Sequence, residues 1–134
     1  MKIKLFLQLT VFIFSFVLVN AQETGNIPNG ISLAIKAGNS SELSKYMNST
    51  VEILLLDKED FYKKNVAETI LSDFFSEYQT KDFTIRHQGA RNDAKYAIGN
   101  LTTEKGNFRV YFLIKKVGEE LLIHQIRIEP ENGN

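Results

Sequence analysis

No cysteine occurs anywhere in the 134-residue chain. That excludes a disulfide framework and a lipid-modified cysteine at a processed N-terminus, so stability has to come from packing. An excess of one charge is missing as well. The 16 basic residues match the 16 acidic ones, and without Lys2 and Lys4 of the N-terminal leader the acids lead by two. No global field therefore draws the domain to nucleic acid or to anionic lipid. A glycine-rich phosphate cradle and a nucleophile elbow are absent. Two histidines far apart, His87 and His124, fall short of the three ligands of an ordinary zinc site, so neither metal nor cofactor is expected.

Lys2 and Lys4 precede an apolar run from Leu5 to Val19, and Val19 and Ala21 put small side chains before a cut. This is the order of a secretory signal. The run is short for a membrane anchor, since crossing roughly 30 Å of hydrocarbon takes about 20 apolar residues. The expected organisation is a signal peptide at residues 1–21, a flexible leader at 22–26, one domain at 27–129 and a polar tail at 130–134. The protein is expected to be exported, periplasmic or secreted, with no stable membrane anchor after cleavage.

Period then assigns elements. Ile27, Ile31, Ala34 and Ile35 make a helical stripe that Gly38 closes. A second short helix is expected over 39–47, capped by Asn39 or Ser40, and a strand over 51–56 that ends at the charged cluster 57–60. Ala67, Ile70, Leu71, Phe74, Phe75 and Tyr78 hold one face of a long helix over 64–79, with Asn65 and Glu68 placed for a capping box. Four strands follow, over 82–88, 94–103, 107–116 and 119–129, joined by short turns. The order α-α-β-α-β-β-β-β describes an α+β domain with helices on one face of a mostly antiparallel sheet.

The stretches IPNGISLAIKAGNSSELSKYMNSTVEILLL, AETILSDFF, FTIRHQGA, YAIGNLTTEKGNFRVYFLIKK and IHQIRIE resemble the exported bacterial family called domain of unknown function 4783, over nearly all of the chain after the signal. The resemblance implies a nuclear transport factor 2-like fold, a cone of helices packed into a strongly bent sheet. It brings no catalytic residues. At Lys63 it implies a helix-capping serine, from which this chain departs.

Cone-shaped relatives in other families place an acid or a histidine inside the cone, so alternation along the strands decides what faces inward. Phe108, Val110, Phe112 and Ile114 form one inward phase; Leu122, His124, Ile126 and Ile128 form another; Phe83, Ile85 and His87 form a third. The phase of 94–103 stays open. Phe74, Phe75, Tyr78, Phe108, Phe112 and His124 are thus the expected cone lining. His124 and His87 are the candidates for a general base. Three strand spacings of roughly 4.8 Å keep them about 14 Å apart. The acids Asp57, Glu59, Asp60, Asp73 and Glu77 read as solvated charges.

The outer phase carries Arg86, Arg109, Tyr111, Leu113, Leu121, Ile123, Gln125 and Arg127, richer in aliphatic and aromatic groups than a solvated face requires. Arg86, Arg109, Tyr111, Leu113, Ile123 and Arg127 are the expected interface residues, and a homodimer through this face is the expected partner. The function expected is a non-enzymatic module that binds a small ligand or an exported protein. The alternative is a small cofactor-independent isomerase, dehydratase or hydrolase using a histidine inside the cone.

Overall fold

A computed structural model describes residues 26–132. The signal expected at residues 1–21, most of the leader and the last two residues lie outside the described residues.

The first helix, α1 (Asn29–Ala37), buries Ile31, Ala34 and Ile35, the stripe its spacing dictates. Gly38 ends it at φ 63°, a left-handed value that side chains with a Cβ adopt reluctantly. That turn lets Asn39 N–H reach back to the Ala34 carbonyl at 2.8 Å and satisfy one of the free carbonyls of the last turn. Asn39 then caps α2 (Ser40–Ser44) by accepting the Glu42 N–H at 3.1 Å. The second helix is shorter than its apolar stripe suggests, because Met47 already belongs to a strand.

Strands β1 (Met47–Leu55) and β2 (Lys58–Lys63) form a hairpin, which runs into α3 (Lys64–Glu77). A meander follows: β3 (Thr80–Arg91), β4 (Ala94–Thr103), β5 (Gly106–Val117) and β6 (Glu120–Pro130). All six strands join one sheet in the order β2-β1-β6-β5-β4-β3, antiparallel except where β1 lies parallel to β6. The helix and strand order expected from the sequence is observed, with β2 added. Alternation could not reveal β2, because Lys58, Glu59 and Asp60 are consecutive charges and most of the strand is exposed. It is the sheet's edge, where charge blunts pairing with other chains.

One core holds the layers together. Ile31, Ile35 and Leu43 from the first two helices and Ala67, Leu71, Phe74 and Phe75 from α3 meet Val51, Ile53, Val110, Phe112, Ile114, Ile126 and Ile128 from the sheet. Three ladders shift register: β3 between Thr80 and Asp82 and again between Ile85 and His87, β5 between Leu113 and Ile114 opposite β6, and β1 between Met47 and Glu52. Each shift bends and twists its strand. In the last of them β1 advances from Met47 to Glu52 while β6 advances only from Ile123 to Gln125.

The capping box at the start of α3 is not formed. Lys63 occupies the cap position with extended backbone (φ −64°, ψ 149°) and no side-chain bond, and Asn65 lies inside the helix. The backbone is therefore already set for a capping side chain that lysine cannot supply. Lys63→Ser is expected to stabilise the domain by about 1 kcal/mol, read as a rise in Tm of about 4 °C or more for a domain of this size. An unchanged melting curve would mean that the first-turn N–H groups are satisfied by water.

The strand read as 82–88 is longer at both ends. Its turn to β4 is only Asn92-Asp93, with Asn92 at φ 55°, a conformation asparagine tolerates. The C-terminal tail starts later than expected, since Pro130 is still in β6 and Glu131 N–H donates to the Asn107 carbonyl at 2.9 Å.

Candidate functional site

The inward phase of β5 is as alternation predicts: Phe108, Val110, Phe112 and Ile114 are all buried. Phe74 meets Phe108 edge-on with ring centroids 5.3 Å apart, stacks on Tyr78 at 4.9 Å, and touches Phe75 at 5.7 Å. Phe112 sits edge-on to Phe83 at 6.4 Å. Four of the expected lining residues, Phe74, Phe75, Phe108 and Phe112, are at most 6% exposed. They fill the interior with their own rings.

Neither histidine keeps the inward place that strict alternation gives it. Two bulges are the cause. Ile85 pairs with Gly99 but His87 pairs with Ile98, so Arg86 is an extra residue and His87 moves to the opposite face. There the His87 ring is exposed and lies 3.0 Å from the Tyr96 hydroxyl. On β6, Gln125 pairs with Leu113 and Ile123 with Ile114, so His124 is the extra residue. The same bulge turns Ile123 inward, where it is fully buried, so it is removed from the expected interface. Strict period-2 counting cannot see an inserted residue.

His124 is half-buried with its Nε2 shielded and unpartnered. Burial first, and the nearby Lys115 ammonium second, hold its pKa below the ordinary histidine value. The folded state thus resists protonation more than the unfolded chain does. Stability contributed by neutral His124 is present above the unfolded-state pKa of about 6.5 and is lost as pH falls from there through the lower folded-state value. His124→Gln is expected to flatten the fall in Tm between pH 7.5 and the acid end of that window. Parallel curves for both proteins would contradict the burial argument.

Register builds the outer face in rows. His87, Ile98, Tyr111, Arg127, Leu54 and Glu59 lie across the sheet in one row; Gly89, Tyr96, Leu113, Gln125, Glu52 and Phe61 lie in the next. A third row joins Thr84, Asn100, Arg109 and Glu129. Of the expected interface residues, Arg109, Tyr111, Leu113 and Arg127 therefore share this face. Arg109, Tyr111, Gln125, Arg127 and Glu129 line a shallow groove of about 260 Å³. Arg127 pairs with Glu129 at 3.6 Å. The Asn100 amide, with its nitrogen donating to Glu131 Oε1, accepts from Arg86 Nε, both at 3.2 Å. Near the other edge, a hydrogen bond with the Glu59 carboxyl, assisted by burial, raises the Glu52 pKa above the ordinary carboxylate value. Sequence reasoning missed Tyr96, Ile98, Glu52, Leu54 and Phe61, because the phase of β4 was open and β2 was unread.

An open cleft of about 360 Å³ lies between α3 and the inner side of the β1–β2 hairpin. Ile70, Phe74 and Tyr78 form its helical wall at four-residue spacing, with Asp73 and Glu77 one residue off that line. Ile53, Leu55, Leu56, Tyr62, Asp57 and Lys58 form the hairpin wall. Leu56 takes φ 60° to make the turn. A larger hollow of about 420 Å³ separates the two hairpin tips near Asp93 and Glu119, but Leu121 and two alanines are its only apolar lining. The cleft is the better candidate, because ligand sites combine an apolar floor with a few polar groups. Asp57, Asp73 and Glu77, read from the sequence as separate solvated charges, are brought together at its rim. The signal available for them was that Asp73 and Glu77 border the apolar stripe of the long helix. Among the described residues no group of three His, Asp or Glu side chains is placed to hold a metal ion, and no helix is long and apolar enough to cross a membrane.

Residues 28–129 match the family described as Domain of unknown function (DUF4783). No curated protein matches the chain. A DUF4783 family protein from Bacteroides ovatus is 40% identical over 80% of this chain and 97% of that one, with a TM-score of 0.78. A nuclear transport factor 2-like protein with a long sheet is 16% identical over 75% of this chain and 94% of that one, with a TM-score of 0.62. A ketosteroid isomerase-like protein from Kribbella flavida is 11% identical over 79% of this chain and 76% of that one, with a TM-score of 0.56. The last two likenesses concern the fold alone, which is nuclear transport factor 2-like.

Proposed function

From a chain that belongs to the DUF4783 family, we propose a non-enzymatic binding module that works outside the cytoplasm and takes a small ligand in the cleft between α3 and the β1–β2 hairpin. The observation that carries this reading is a contrast within one domain. The cone interior is closed by Phe74, Phe75, Phe108 and Phe112, while the cleft that Phe74 and Tyr78, two of the expected cone-lining residues, also border leaves Leu55, Leu56, Tyr62, Ile70 and Tyr78 half-buried around open space. An isomerase, dehydratase or hydrolase of the kind expected from the sequence needs a histidine beside a substrate inside the cone, whereas His87 is exposed beside Tyr96 and His124 is a bulge residue whose Nε2 has no partner. Export rests on the order of charge, apolar run and small residues in residues 1–21.

Native mass spectrometry of the protein purified in the form its host produces tests the reading. The expected result is a chain that begins at Gln22 and carries a small molecule. A chain retaining its N-terminus and repeatedly recovered bare would overturn it.

A second reading, a homodimer through the outer sheet face, is supported by the way that face is divided. Arg109 and Arg127 lie on β5 and β6, where Glu129 offsets one of them, Glu52 and Glu59 lie on β1 and β2, and Ile98, Tyr111, Leu113 and Leu54 add apolar surface to the same face. A two-fold axis parallel to the strands would set the arginine half of one copy over the glutamate half of the other, the self-complementarity an isologous interface requires.

A further inference from the structure

We propose that the cleft selects an organic cation with an apolar tail, such as an alkylammonium ion; this rests on reading the cleft as a binding site. Its floor is apolar and its rim is charged. Ile53 is 1% exposed and Phe74 3%, so the base of the cleft offers carbon atoms to a ligand and no unsatisfied donor. Above it, Leu55, Leu56, Tyr62, Ile70 and Tyr78 are half-buried on facing walls. Together they need an apolar cover to leave water.

The rim decides the charge of the head group. On α3, Asp73 and Glu77 lie one turn apart, each about 100° around the helix from the apolar line. On the hairpin, the left-handed turn at Leu56 presents Asp57 and Lys58. Three carboxylates therefore stand against one ammonium among the lining residues. None of the three takes part in an ion pair among the described residues. Lys105 Nζ lies 5.9 Å from the Tyr78 ring centroid, and Lys105 is not among the lining residues. The resulting local field is negative. An anionic head group is repelled there and a neutral one gains nothing from the rim. A cation without a tail leaves the walls uncovered. Tyr62 adds an aromatic face that attracts cations further.

Calorimetric titration of the protein, in the form its host produces, with octylammonium, octanol and octanoate separates charge from tail, each held below its self-association concentration. Octylammonium is expected to bind about tenfold or more tightly than octanoate, with octanol between them, the ratio shrinking as salt is added. In the Asp73→Asn, Glu77→Gln double variant the ammonium affinity should approach that of octanol, while octanol binding stays unchanged. Both positions are exposed, so the variant is expected to fold, and its melting curve checks this. Equal affinity for all three ligands in the parent protein would overturn the cation inference and leave the cleft as a neutral apolar site. If none of the three binds, or if amide shifts on octylammonium addition map to the outer sheet face instead of Tyr62, Ile70 and Tyr78, the binding-site reading falls with it.

Discussion

Phe112→Ala is expected to remove about 3–5 kcal/mol of stability, a large part of the roughly 5–15 kcal/mol that holds a domain of this kind together. The ring has no exposed surface. It belongs to β5, and its cross-strand neighbours are Ala97 on one side and Ile126 on the other. Ala97 is small and fully buried, so it cannot swing a side chain into the vacated volume. Phe83 would lose its edge-on partner as well. Urea unfolding measures the loss as a lower midpoint at unchanged slope. A loss below about 1 kcal/mol, far under the usual range for a buried phenylalanine, would mean that the ring borders open space. In that case the interior of the cone would return as a ligand chamber.

The second large effect separates Ile123 from Leu113, two residues that simple alternation assigns to the same outer surface. Ile123 is fully buried, pairs with Ile114, and donates its N–H to the Tyr46 carbonyl at 2.7 Å. An aspartate there buries a carboxylate with no cation beside it, a change that exceeds about 4 kcal/mol and leaves little folded protein. Leu113 is half-buried between Tyr96 and Gln125 on the outer face. Its aspartate variant should stay folded, losing about 1 kcal/mol or less, and should convert the proposed dimer to monomer in sedimentation experiments. A stably folded Ile123→Asp protein would contradict the β6 bulge. A Leu113→Asp protein that still dimerises would remove the outer face as the contact.

Much of the fold was legible because its elements keep a clean period. The α3 stripe and the inward phase of β5 depend only on geometry that repeats along the chain. Gly38 and Asn39 announced the joint between α1 and α2 by their chemistry. What stayed hidden depended on partners distant in sequence. The bulges at Arg86 and His124 exist because neighbouring strands must bend together, and no residue type at either position signals an insertion. The edge strand β2 was unreadable for another reason, since a strand exposed on most of its surface has no need of apolar alternation. The candidate cleft needs both lessons. Its helical wall could be traced from Ile70, Phe74 and Tyr78, but its other wall did not exist until the hairpin was known.

The parallel pairing of β1 with β6 has a kinetic side. The strand that joins the N-terminal hairpin to the meander is the last of the described strands, so neither half of the sheet acquires its central neighbour until residues 120–130 have been made. Contacts so far apart in sequence close slowly, because the intervening chain must surrender its freedom first. During synthesis the domain therefore waits as an incomplete sheet.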